Sequence, residues 1–160
     1  MKRLLSLVAL AALVATGAMA ATAMPYNPKA DAKAQVQHAL QIAKKNDKPV
    51  LVFFGANWCP DCRALAKSIK TGKNAALMHA NFNIVKVDVG NFDHNLDIDH
   101  RFGNPIKKGI PAAVIVSPQG KVLYATRAGE LANARHMSDQ GVYDFFEQRL
   151  SQIRQASASK

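Results

Sequence analysis

Apolar positions follow two rhythms along this chain, and the switches between them mark its elements. From Asp31 to Asn46 the apolar residues Val36, Ala39, Leu40 and Ala43 fall at the i, i+3, i+4, i+7 spacing of an amphipathic helix, closed by the Lys44-Lys45-Asn46-Asp47-Lys48 cluster before Pro49. Val50-Leu51-Val52-Phe53-Phe54, ended by Gly55, is a continuous run of β-branched and aromatic residues, which suits a strand covered on both faces. Helical spacing returns with Cys62, Leu65, Ala66 and Ile69 as far as about Lys70, and Gly72 interrupts it. Ile84, Val85, Val87 and Val89 alternating with Lys86 and Asp88 predict a second strand over 83–89. The polar stretch 91–102 predicts one or two helical turns at most, ending at Gly103-Asn104-Pro105. Residues 112–117 and 121–126 read as two more strands, and Pro118-Gln119-Gly120 between them is short enough to make an antiparallel hairpin. Ser138 can cap a last helix whose buried stripe is Val142, Phe146, Leu150 and Ile153, with a frayed tail over 156–160.

A strand-helix-strand unit implies a parallel pair, and the hairpin adds antiparallel strands. The expected class is therefore α/β, with a central mixed sheet of about four strands flanked by helices on both faces. No repeat and no second domain is visible, so one domain over 24–155 is expected. A chain of 160 residues, 49% hydrophobic and 20% charged, can bury its core without disulfide staples or a structural metal.

The first residues belong to a different grammar. Met1-Lys2-Arg3 precedes an apolar run from Leu4 to Ala20 that ends in Ala18-Met19-Ala20, the pattern of a secretory signal peptide over 1–20. A second processing site follows Ala21-Thr22-Ala23, so cleavage is expected after 20 or 23. No cysteine lies near either site, which argues against a lipoprotein. The expected location is the periplasm. Loss of Lys2 and Arg3 takes the formal charge from +10 to +8, so the basic excess belongs to the mature protein. Basic residues are scattered without a block, which fits a solvated basic surface and gives no nucleic-acid arm.

The only two cysteines, Cys59 and Cys62, lie three apart where the first buried strand gives way to a helix. At that spacing the first thiol sits at the helix N-terminus and the second one turn in, close enough for a small disulfide ring. Free backbone N–H groups and the positive end of the helix dipole favour a thiolate on Cys59, which makes Cys59 the attacking sulfur. Cys62, on the buried side of the turn, is then the resolving thiol. There is no second Cys-x-x-Cys, and His38, His79, His94, His100 and His136 are at no ligand spacing, so no metal is expected. The acidic and histidine residues Asp93, His94, Asp97, Asp99 and His100 read as a solvated loop or helix face.

On these residues the chain resembles the thioredoxin superfamily. The resemblance runs through Pro49 to Cys62 with its Trp58-Cys59-Pro60-Asp61-Cys62 turn, through Ile84 to Asp88, through Gly109-Ile110-Pro111 before a strand, and through Gly120 to Gly129. It implies a thioredoxin fold, a cis Ile110-Pro111 bond packed against the cysteines, and Trp58 as an aromatic wall beside the nucleophile. Trp58, Pro60, Asp61, Ile110 and Pro111 would then line the substrate site. It also implies thiol-disulfide exchange without an organic cofactor.

Two departures from the family pattern shape the functional expectation. Thioredoxin carries a buried carboxylate six residues before its first cysteine, and this chain has Phe53 there, leaving water, Asp61 or Lys86 as candidates for proton transfer at Cys62. The residue before Cys62 is Asp61 where strong oxidants of the family have histidine, and a carboxylate opposes the Cys59 thiolate, which makes the couple more reducing. The expected protein reduces disulfides in other exported proteins and draws electrons from a membrane electron-donor protein. About 140 residues after cleavage leave no room for a dimerisation domain, so a monomer is expected. A periplasmic oxidase or isomerase is the nearest alternative; a redox-switched binding module or a metallochaperone stands further off.

Overall fold

The computed structural model describes residues 24–159; the signal peptide expected over 1–20 lies outside them. A four-stranded sheet runs in the order β2-β1-β3-β4, formed by β1 (Val50–Gly55), β2 (Asn83–Asp88), β3 (Ala112–Val116) and β4 (Val122–Ala125). β1 pairs in parallel with β2, while β1–β3 and β3–β4 are antiparallel. All six residues of β1 are buried, as their unbroken apolar run requires of a strand paired on both edges and covered on both faces.

Strand alternation sorts the side chains into two cores. Val50, Val52 and Phe54 join Val85, Val87, Val114 and the stripe Val36, Ala39 and Ala43 of α1 (Ala32–Asn46). Leu51 and Phe53 point the other way, to α2 (Pro60–Ser68), α3 (Gly72–Asn81) and α5 (Asp139–Ala158). There the Phe53 and Phe146 rings meet edge-on with centroids 5.7 Å apart, an arrangement that adds about 1 kcal/mol beyond area burial. The structure is thus the thioredoxin fold, a mixed sheet with helices on both faces.

Local chemistry sets the ends of these helices. Asp31 caps α1 by accepting from the Ala34 N–H at 2.9 Å, and Lys44 and Lys45 lie in its last turn, where the dipole favours cations. Ser138 caps α5 through the Gly141 N–H. That helix runs on to Ala158, through residues expected to fray. α3 is the element the sequence pattern does not announce. It buries only Asn74 and Met78 and starts at Gly72 with φ +51°, so the glycine that interrupts one helix begins the next. The polar stretch after β2 folds as a tight loop, α4 (Leu96–Arg101) and a 3-10 turn Pro105–Lys108 that leads to Gly109.

Candidate active site

β1 delivers its chain to the turn from which α2 springs, and both cysteines sit there as free thiols. Cys59 is the N-cap of α2, with extended backbone (φ −75°, ψ 116°), and its Sγ accepts from the Cys62 N–H at 3.1 Å. Pro60 occupies N1, where its missing N–H costs nothing and its fixed φ suits the first turn. The sulfur of Cys59 thus faces the unpaired N–H groups and the positive end of α2. On its other side it lies 3.6 Å from the carbonyl oxygen of Ile110, to which its S–H can donate. The Ile110–Pro111 peptide is cis.

Cys62 is fully buried. Burial pushes its thiol well up from the ordinary range; the contact with Cys59 and the negative charge of Asp61 push the same way, against a backbone contact with Ala56 that lowers it. Gly55, the last residue of β1, explains what closes this pocket. A Cβ there would stand 3.0 Å from Cys62 Sγ and would overlap the Cζ and hydroxyl of Tyr26. Tyr26 is buried and comes from the segment ahead of α1. Asn57 holds it: the Tyr26 N–H donates to Asn57 Oδ1 at 3.0 Å, and Asn57 Nδ2 donates to the Tyr26 carbonyl at 2.7 Å. Asp88, also buried, lies opposite Gly55 in the β1–β2 register. The Tyr26 phenol is held well above its usual range by burial first, then by the two cysteines and Asp88.

The outer wall is aromatic. Trp58 is 52% exposed and fixed by its indole N–H, which donates to the Gly90 carbonyl at 2.8 Å. Phe92, 44% exposed, meets it edge-on at 6.1 Å from the left-handed conformation (φ +65°). The loop beneath is tied by Asp88 Oδ1 to the Gly90 N–H, by Asp93 Oδ1 to the Asn91 N–H and by the Asp93–His94 pair at 2.6 Å. Asp99 turns inward and accepts from the Ile106 N–H. Among the described residues no three of the Asp, Glu, His and Cys side chains come together as a metal site.

The sequence-predicted residues therefore divide. Cys59, Cys62, Trp58, Pro60, Ile110 and Pro111 come together around one turn. Asp61 is drawn off to one side. Its Oδ1 accepts from the Arg135 N–H at 3.0 Å, and its Oδ2 stands 3.6 Å from the Arg135 guanidinium, so it fastens α2 to the 3-10 turn Ala134–His136. Lys86 lies opposite Phe53 in the register, on the α2 side of the sheet; burial, and then Lys70, lower it to about 8. Tyr26, Asn57, Phe92 and Arg135 are additions of the structure. For Tyr26 the available signal was Gly55, since a glycine ending a buried strand often marks where another group comes close.

A reactive dithiol at a helix N-terminus in this fold defines a class, the thiol-disulfide oxidoreductases. The chain belongs to the thioredoxin-like family, which matches residues 31–118. It is similar to the disulphide isomerase from Xylella fastidiosa Temecula1, with 56% identity, a TM-score of 0.79, and coverage of 80% of this chain and 98% of that one. The oxidised C-terminal domain of Neisseria meningitidis DsbD shares the fold at 20% identity and a TM-score of 0.50, over 73% of this chain and 95% of that domain. A probable nucleoredoxin 3 of Oryza sativa subsp. japonica is 30% identical over 100 residues, 51% of this chain; the alignment spans only 21% of that longer relative.

Proposed function

We propose that this protein is an exported reductase of disulfides in other periplasmic proteins, working through a Cys59–Cys62 dithiol cycle. The observation that carries the reading is the unequal placement of the two sulfurs. Cys59 sits at the helix N-terminus between the Trp58 wall and the Ile110–Pro111 bond, while Cys62 is sealed behind it. Cys59 attacks a client disulfide as the thiolate, forming a mixed disulfide and releasing one client sulfur. Cys62 then loses its proton and attacks Cys59 Sγ; the Cys59–Cys62 bond forms and the second client thiol leaves. Two electrons and two protons pass to the client, and a membrane dithiol donor must return them. Trp58, Pro60, Ile110 and Pro111 form the surface across which the client lies, while Asp61, held by Arg135, stands to one side of it.

What surrounds Cys62 supports the reducing direction. Burial and the Asp61 charge disfavour its thiolate, so the reduced form gains little from charge stabilisation, and such couples give electrons up readily. The signal-like N-terminus supports a periplasmic setting. An isomerase is the second reading, favoured by the name of the 56% identical Xylella protein. A scrambled disulfide protein incubated with stoichiometric dithiol form separates them. A reductase lowers the total client disulfide in proportion to the protein added and turns oxidised itself. An isomerase restores native pairing at constant total disulfide, and that result would overturn the reductase assignment.

A further inference from the structure

Phe53 leaves the buried resolving thiol without a carboxylate beneath it, yet Cys62 must lose a proton to attack Cys59. Tyr26 and the sulfur meet at Gly55, the one residue of β1 that has no side chain to keep them apart, and β2 brings Asp88 opposite that residue. Tyr26 arrives from the segment ahead of α1 and is held by the paired hydrogen bonds to Asn57. Its hydroxyl and the sulfur of Cys62 both crowd the point where a Cβ of Gly55 would stand. Asp88 comes from β2 across the register from that same glycine. Its Oδ1 is taken by the Gly90 N–H at 2.9 Å, which leaves Oδ2 free to accept. Lys86, two residues back on β2, shares the strand face of Asp88 and stands opposite Phe53, one residue pair short of Gly55 on that face.

We propose that Tyr26 is the proton-handling partner of Cys62, its hydroxyl passing the thiol proton on toward Asp88. The proposal rests on the reading of Cys62 as the resolving thiol. In the step, the Cys62 S–H proton moves to the Tyr26 oxygen while the phenol proton moves to Asp88 Oδ2. Tyr26 ends neutral and donates to the new thiolate, Asp88 ends as the acid, and the sulfur is free to attack the Cys59 disulfide. The charged and titratable groups facing the pair are Cys59 and Asp61 from the α2 turn and Asp88 from β2. All three are negative when ionised, so a neutral hydroxyl is the partner that adds no further repulsion at this spot. Asn57, two residues before Cys59, places the phenol and acts as a positioning residue.

The decisive variant is Tyr26→Phe, which removes one oxygen and keeps the ring that fills the pocket. In a Cys59→Ser background, ultraviolet thiolate absorbance reports Cys62 alone. Loss of a hydrogen bond to a charged sulfur should raise its titration midpoint by about one pH unit. In the two-cysteine protein, an aromatic disulfide whose halves absorb on release separates attack from resolution. Tyr26→Phe should leave the first release unchanged, slow the second about tenfold and move its pH profile to higher pH. Asp88→Asn, which keeps an acceptor for Gly90, should slow the second release as well. An unchanged midpoint in Tyr26→Phe together with wild-type second release overturns the proposal, and equal slowing of both releases does so too, since that marks a packing role. If the wild-type protein gives no second release, the resolving role of Cys62 is what fails, and the absorbance titration still decides whether Tyr26 governs its proton.

Discussion

Cys59 and Cys62 stand one helical turn apart and live in opposite surroundings. Cys59, itself buried at 4% exposure, follows Trp58 directly in the turn whose outer wall is the half-open Trp58 and Phe92 rings, and its sulfur is met by backbone: the Cys62 N–H and the Ile110 carbonyl. Cys62 is fully buried, with the Tyr26 ring and its own sulfur both against the bare backbone of Gly55. The difference teaches how one dithiol divides its labour. The backbone of a helix start meets one sulfur, while burial keeps a proton on the other until it is needed.

The largest effects should come from removing one sulfur at a time. Cys59→Ala is expected to abolish disulfide exchange altogether. Cys62→Ala should retain the attack and accumulate mixed disulfides with client proteins, visible as adducts that a reductant dissolves. Equal loss of adducts in both variants would erase the distinction between the two thiols.

A pH series cuts next deepest. Because burial raises Cys62, its thiolate fraction grows about tenfold per pH unit through the neutral range, and the resolving step should accelerate accordingly up to the alkaline range. The sign for stability is the reverse. The unfolded chain ionises this thiol first, so the native state loses stability as pH rises past the ordinary thiol range, and urea midpoints should fall there. Lys86, lowered to about 8, works in the opposite sense, since between there and the ordinary lysine range the unfolded chain binds the extra proton. Lys86→Met should therefore deepen the alkaline fall.

Gly55→Ala tests the inward side by crowding it. The added methyl collides with the Tyr26 ring beside Cys62, and overpacking of this kind costs about 1–3 kcal/mol, readable as a lower urea midpoint. A stable Gly55→Ala protein with normal Cys62 titration would show that Tyr26 does not close this pocket.

The smallest change is expected from Asp61→Asn. It removes a charge that raises Cys62, so the Cys62 midpoint should drop and the reduction potential rise slightly. The weakened tie to Arg135 costs up to about 1 kcal/mol, because that guanidinium is half exposed. A lowered potential in Asp61→Asn would contradict the electrostatic account of the reducing couple.

Both cysteines and the outer wall of the site were legible in the sequence, and the residues packed around Cys62 were not. Cys59, Trp58 and Pro60 announce themselves because they share one short segment at a strand-helix junction, and Ile110-Pro111 through the family's Gly-Ile-Pro. Tyr26 lies 33 residues ahead of Cys59 in a segment with no periodicity, and only the Asn57 hydrogen bonds, each spanning 31 residues, bring it home. Asp61 shows the same limit from the other direction. Its neighbours in sequence suggest a free carboxylate beside a thiol, and it is Arg135, distant in the chain, that claims it. In the fold, the continuous and alternating apolar runs gave every strand. α3 stayed hidden because a helix that buries two residues leaves no stripe to read.

The Asn57 hold on Tyr26 also settles where the molecule can be handled. Anything fused just ahead of Met24 would sit three residues from Tyr26, whose side chain packs beside Cys62 at the reactive turn. The far end of α5 lines a groove with Lys48, Pro49 and Pro118, at the end of the sheet where β1 begins. Affinity tags, fluorophores and surface tethers belong on that C-terminal helix, where a linker leaves the dithiol free to meet its clients.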